Sequence, residues 1–169
     1  LYRHRRRHPD HQPKGSLTRM QLADFHFGCP LRVRWSEADP QGIVFNGHYL
    51  NYADVGVTEY YRALNAANPG REDLSGNEFF AVKTLLEYRS SAFFDDLLDV
   101  RLRVSRLGNS SMSFTLGIFR DEELLVTGEI VYVRADQQTR KPLPIPEEFK
   151  AAVRAFEQVA PQETSAAGA

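Results

Sequence analysis

The chain reads as an α+β domain in which an antiparallel sheet of about five strands wraps around one long helix. Three features predict this. From about His48 to Leu64, the apolar residues Tyr49, Tyr52, Ala53, Gly56, Tyr60, Ala63 and Leu64 recur at three- and four-residue spacing, the period of a helix with one buried face. From Leu98 to Ser105 the period drops to two, with Leu98, Val100, Leu102 and Val104 alternating with Asp99, Arg101, Arg103 and Ser105. The turns at Leu107-Gly108-Asn109-Ser110 and Arg120-Asp121-Glu122-Glu123 are short, which implies antiparallel hairpins. A lone amphipathic helix among such strands buries its stripe when the sheet curls around it.

Taken in order, Leu31, Val33 and Trp35 alternate with Arg32 and Arg34, predicting a strand over 30–35 with one buried face. A loop over Asp39 to Gly47 leads into the helix, roughly 25 Å long at about 1.5 Å per residue. Gly56 lies within the apolar stripe, where it costs about 1 kcal/mol relative to Ala. A close approach of helix backbone to sheet would account for it. Asn65, Asn68, Pro69 and Gly70 stop the helix. Strands are expected from Phe79 to Tyr88, over 98–105, around Met112 to Ile118, and from Leu124 to Arg134. Pro142, Pro144 and Pro146 break the chain before a short helix, about Glu147 to Val159. One domain spans 20–160, preceded over 1–19 by a basic leader expected to be disordered and followed over 161–169 by a flexible tail.

A net charge of −1 gives no general attraction to nucleic acid. No apolar run approaches the ~20 residues that span a bilayer, so no membrane partner is expected. The single cysteine, Cys29, rules out an internal disulfide, is compatible with a reducing cytoplasm and reads as a packed thiol. Of five histidines, three lie in the leader, and none has metal-ligand spacing with acidic partners. No metal is expected.

The chemistry concentrates in Asp39-Pro40-Gln41-Gly42 and the residues that follow. Pro40 fixes φ and Gly42 permits a sharp turn, so the Asp39 carboxylate stands on a held backbone. Asn46 and Gly47 fall where the helix starts, and N–H groups there lack intrahelical partners and face the positive end of the dipole. A carbonyl oxygen placed against them is stabilised as it becomes an oxyanion, by about 3–4 kcal/mol per donor. Asp39 can then activate water as a general base or attack the carbonyl itself. A lone carboxylate suits an easy leaving group such as a thiolate, whose conjugate thiol has a pKa of about 8.5. No G-x-S-x-G elbow is present. The residues alone leave a second reading open, in which Asp39 only forms the turn.

Residues 31–64 resemble the opening of the 4-hydroxybenzoyl-CoA thioesterase family: an acidic residue (Glu37), one spacer, Asp39, two residues, Gly42, and a short apolar run into the helix. The stretch from Glu87 to Asp96 resembles that family's strand leading to an acidic turn, and Leu107 to Ser111 its hairpin near the pantetheine arm. The resemblance implies a hot-dog fold and hydrolysis of acyl-CoA thioesters, with Asp39 catalytic and N–H groups near Asn46 and Gly47 as the oxyanion hole. It further implies substrate contacts from Gly42, Val44, Phe45, His48, Tyr49, Ser110 and Ser111. No cofactor is implied beyond the CoA of the substrate. Subunits would pair as a homodimer or homotetramer sharing a continuous sheet. The chain departs from the family where Asn46 stands for a frequent histidine or aromatic residue, and Ser91 or Ala92 for a proline. Those departures bear on pocket shape more than on the reaction.

Tyr49, Tyr52, Tyr60 and Tyr61 read mainly as helix–sheet packing. Arg101, Arg103 and Arg106 read as a solvated strand face, with contact to CoA phosphates as the sharper alternative. Two rival functions stand beside hydrolysis: a hot-dog hydratase or dehydratase, which would depend on His48, and a non-catalytic module that binds acyl-CoA or an acyl carrier.

Overall fold

A computed structural model describes residues 20–70 and 78–163; the leader expected over 1–19 lies outside the described residues. The elements follow in the order β1 (Phe27–Arg32), α1 (Asn46–Ala67), β2 (Phe79–Tyr88), β3 (Leu97–Leu107), β4 (Ser111–Arg120), β5 (Glu123–Arg134), α2 (Glu147–Phe156) and β6 (Gln162–Glu163). The five long strands form one sheet in the order β1-β3-β4-β5-β2, with every neighbouring pair antiparallel. Short β6 adds to β3 in parallel, in the segment read from sequence as tail.

The sheet curls because three of its pairings carry irregularities, at Ala81/Lys83, Val104/Arg106 and Ile118/Phe119. Each extra residue bends its strand and increases the local twist. The concave face receives α1, whose Tyr49, Tyr52, Ala53, Gly56, Tyr60 and Leu64 are buried as the periodicity predicted, whereas Ala63 is only partly buried and Val57 and Tyr61 join the stripe. From the sheet, Val100, Leu102, Phe114 and Leu116 meet them with no exposed surface. Gly56 is where the helix touches the sheet. A Cβ there would lie 2.7 Å from both Val100 Cγ1 and Leu102 Cδ1, so the glycine permits the close approach.

The helix begins at Asn46, two residues before the expected start, which makes Asn46 and Gly47 its first helical residues. The first strand also differs. It ends at Arg32, and Trp35 opens a 3-10 turn (Trp35–Glu37) with 71% of its surface exposed, edge-on to Phe94. The cause is Glu37, whose carboxylate accepts the Arg34 N–H at 2.7 Å and folds the chain out of the strand.

Helix α2 follows Pro146, carries Glu147 and Glu148 in its first turn and Arg154 in its last, and so suits the helix dipole at both ends. It stops at Phe156, and Glu157 turns inward. Its Oε1 accepts the Tyr60 hydroxyl and the Val104 N–H, each at 2.6 Å, joining α2 to α1 and β3. At the other side of the sheet β2 is a free edge, with Val82 61% and Leu85 50% exposed. Among the described residues no helix is long and apolar enough to cross a membrane.

Candidate active site

The Asp39 loop is a miniature hairpin closed by an Ala38–Val44 bridge. The Asp39 N–H donates to the Ile43 carbonyl at 2.8 Å, and the Gly42 N–H donates to the Asp39 carbonyl at 2.9 Å. Gly42 has φ +77°, the left-handed conformation that its place in the sequence predicted. The Gln41 N–H donates to Asp39 Oδ1 at 2.8 Å, leaving Oδ2 without a partner among the described residues. Asp39 is half-buried, so its carboxylate is held by its own turn yet still reachable.

Two clamps fix this hairpin against the domain. From one side, Glu37 accepts the Phe45 N–H through its carbonyl at 3.0 Å and the Tyr52 hydroxyl through its carboxylate at 2.8 Å. Burial and the Glu37 carboxylate both push the Tyr52 hydroxyl well above its usual pKa, so it stays a neutral donor. From the other side, the Val44 N–H donates to the Ala92 carbonyl at 2.9 Å, and the Ala92 N–H donates to the Tyr49 hydroxyl at 2.9 Å. Arg120 anchors the Ala92 segment. Its guanidinium donates to the Ser91 carbonyl, to Asp96 and to Glu123, and lies 5.6 Å from the Phe93 ring centroid.

Helix α1 starts directly behind the hairpin. Phe45 occupies its cap position and contributes no side-chain cap. The His48 N–H turns back to the Phe45 carbonyl at 2.9 Å, whereas the N–H groups of Asn46 and Gly47 find no acceptor among the described residues. The Phe45 ring is 53% exposed and packs over the α-carbon of Gly47. His48 is partly exposed, and its Nδ1 lies 3.4 Å from the Asn51 side-chain nitrogen. Asp39 and Gly42 thus lie on the hairpin, and Phe45, Asn46, Gly47 and His48 at the helix start that follows it, with one open carboxylate oxygen, two open N–H donors and an exposed Phe45 among the described residues.

Four other residues expected to touch substrate are placed elsewhere. Val44 and Tyr49 retain only 2% and 3% exposure. They pack in the core and bond Ala92, bracing the loop from beneath. Ser110 lies in the β3–β4 turn and Ser111 opens β4. The Asp39 hairpin lies near the start of β3, where the Val33 N–H meets the Asp96 carbonyl. The length of β3, about 33 Å at roughly 3.3 Å per residue, therefore separates both serines from Asp39 within one chain. Cys29 does not join the site. Burial, with Glu59 and Asp99 nearby, pushes its thiol above the usual pKa, the opposite of an activated nucleophile. Arg101, on the strand face, is paired with Asp99.

The profile of the Thioesterase-like superfamily matches residues 33–153, from just after β1 through most of α2. The chain belongs to that superfamily. It is 31% identical over 135 residues to the acyl-CoA thioesterase YbgC of Haemophilus influenzae, covering 78% of this chain and 96% of that relative. It is 26% identical over 134 residues to the acyl-CoA thioester hydrolase YbgC of Escherichia coli O6:H1, with coverage of 78% and 96%. Among solved structures, the PA5185 protein of Pseudomonas aeruginosa PAO1 superposes with a TM-score of 0.70 at 27% identity, over 83% of this chain and 97% of that one. A thioesterase from Thermus thermophilus, solved with coenzyme A and Zn, also reaches 0.70, at 23% identity over 80% and 96% of the two chains. The fold is the hot-dog fold that the resemblance implied.

Proposed function

We propose that this protein hydrolyses an acyl-CoA thioester to the free acid and CoA, and that it does so in the manner of the 4-hydroxybenzoyl-CoA thioesterases. The observation that carries the reading is the open Oδ2 of Asp39 on the hairpin that leads into an uncapped helix start. The likeness to relatives named for acyl-CoA thioester hydrolysis supports the choice of substrate class.

The thioester carbonyl oxygen accepts from the N–H groups of Asn46 and Gly47, where the dipole favours the charge it gains. Asp39 takes a proton from water as the water oxygen bonds to the carbonyl carbon; the C–S bond then breaks and the thiolate leaves. Alternatively, Asp39 attacks directly and water cleaves the resulting anhydride. Labelled-oxygen water under single turnover separates the two, because only the anhydride can place label in the Asp39 carboxylate. Phe45 flanks the bound acyl group. Two chains join along the free edge of β2, whose Val82 and Leu85 would otherwise remain in water, as a homodimer or a pair of such dimers. A cytoplasmic setting fits the free thiol of Cys29.

The hydratase alternative needs a histidine with an acidic partner, and His48 instead contacts Asn51. The test is free-thiol release by the wild-type protein from acetyl-, decanoyl- and benzoyl-CoA, alongside hydration of crotonyl-CoA. Release from at least one thioester without hydration is the expected result. Hydration that disappears in His48→Ala would replace this reading with the hydratase, and CoA binding with no turnover would replace it with a binding module.

A further inference from the structure

Tyr88 is the last residue of β2, and its hydroxyl donates to the backbone carbonyl of Asn46 at 3.2 Å. That carbonyl belongs to the same amide as the Gly47 N–H. The two groups sit at opposite ends of one peptide plane, so a donor on the oxygen acts directly on the nitrogen's proton. Withdrawing electron density through the carbonyl raises the C–N double-bond character and leaves the N–H more positive. The contact also restrains rotation of an amide in the first turn of a helix that has no side-chain cap.

We propose that Tyr88 is a positioning residue for the oxyanion site, which it orients and polarises through the Asn46–Gly47 amide; this rests on the hydrolase reading above. Two observations separate this role from ordinary packing. Tyr88 is 51% exposed in the single chain, so packing within that chain's core does not explain its position. Its ring is nevertheless fixed, meeting the buried Tyr49 ring edge-on at 5.5 Å. Tyr49 in turn is tied to Ala92, whose carbonyl holds Val44 behind Asp39. One short chain of contacts therefore sets both the carboxylate's hairpin and the amide that faces the substrate oxygen. Removing the hydroxyl of Tyr88 leaves the ring, and with it the link to Tyr49.

The effect expected is modest and can be bounded. Strengthening one oxyanion hydrogen bond by about 10–30% corresponds to roughly a two- to eightfold change in rate. Tyr88→Phe should lower kcat by that factor on the thioester turned over fastest among acetyl-, decanoyl- and benzoyl-CoA, with KM within twofold and the melting temperature unchanged. The spectroscopic counterpart is the carbonyl stretch of benzoyl-CoA bound to Asp39→Asn. It should shift to higher frequency when Tyr88→Phe is added, as the oxygen loses polarisation. An unchanged kcat and an unmoved carbonyl band would overturn the assignment, as would a change confined to KM or to stability. Turnover that persists in Asp39→Asn, or none by wild type on any of the three thioesters, would instead remove the parent reading and this inference with it.

Discussion

Two carboxylates serve the ends of α1 in opposite ways. Asp39, ahead of the helix start, is half-buried, holds one N–H on Oδ1 and leaves Oδ2 open. Glu157, reaching Tyr60 further along the helix, is 8% exposed and receives two donors on a single oxygen. Buried and holding two donors, Glu157 joins three elements. Asp39 is fixed through its backbone and keeps its carboxylate free. Burial and the number of elements joined, more than residue type, separate this structural acid from a carboxylate left within reach.

Substitutions that shift this balance sharpen the contrast. The largest stability effect should come from Glu157→Ala, which leaves the Tyr60 hydroxyl and the Val104 N–H buried without an acceptor. A loss of about 3 kcal/mol is expected, or roughly 10 °C of melting temperature, with kcat per folded molecule within twofold of wild type. An activity loss exceeding the loss of folded protein would break the contrast. Gly56→Ala has a smaller effect. The new methyl collides with Val100 and Leu102, an overpacking cost of about 1–3 kcal/mol, offset by a gain of about 1 kcal/mol in helix propensity. A net loss near 1 kcal/mol in denaturant titration is expected; a gain would show that β3 yields easily.

The subtlest effect is in pH dependence. Burial raises the Glu157 pKa, outweighing the opposing effects of Tyr60, the Val104 N–H, Arg103 and His26. Between the ordinary glutamate pKa and this raised value, the folded protein holds a proton that the unfolded chain has lost. Stability therefore falls as pH rises through that window, and the contribution is greatest below it. Glu157→Gln keeps an oxygen acceptor for both donors and should flatten the slope. Denaturation curves from pH 4 to 7 that remain parallel to wild type would show that Glu157 does not carry it.

The sequence showed most clearly what is periodic. The α1 stripe, the β3 alternation and both hairpin turns lie where they were expected, and Gly56 marks the helix–sheet contact. The Asp39 loop was legible because a Pro/Gly turn and an adjoining helix start leave local signals. Features set by distant partners were not. Glu157 falls inside the helix expected over Glu147 to Val159, and nothing local marks it as the acceptor of Tyr60, 97 residues away. Trp35 fits a strand alternation that Glu37 interrupts by capping Arg34. Ser110 and Ser111 resemble a family hairpin, but only the three-dimensional path of β3 shows how far they stand from Asp39 in one chain. Tyr88 closes an exposed strand, and its contact with Asn46 spans 42 residues.

The central claim is that the open carboxylate of Asp39 carries the reaction. Free-thiol release should be followed for wild type and Asp39→Asn at equal folded concentration, on whichever of acetyl-, decanoyl- or benzoyl-CoA is turned over fastest. We expect kcat to fall by about a thousandfold or more while the melting temperature moves by less than about 2 °C. Turnover within tenfold of wild type would contradict it and return Asp39 to the role of a turn-former.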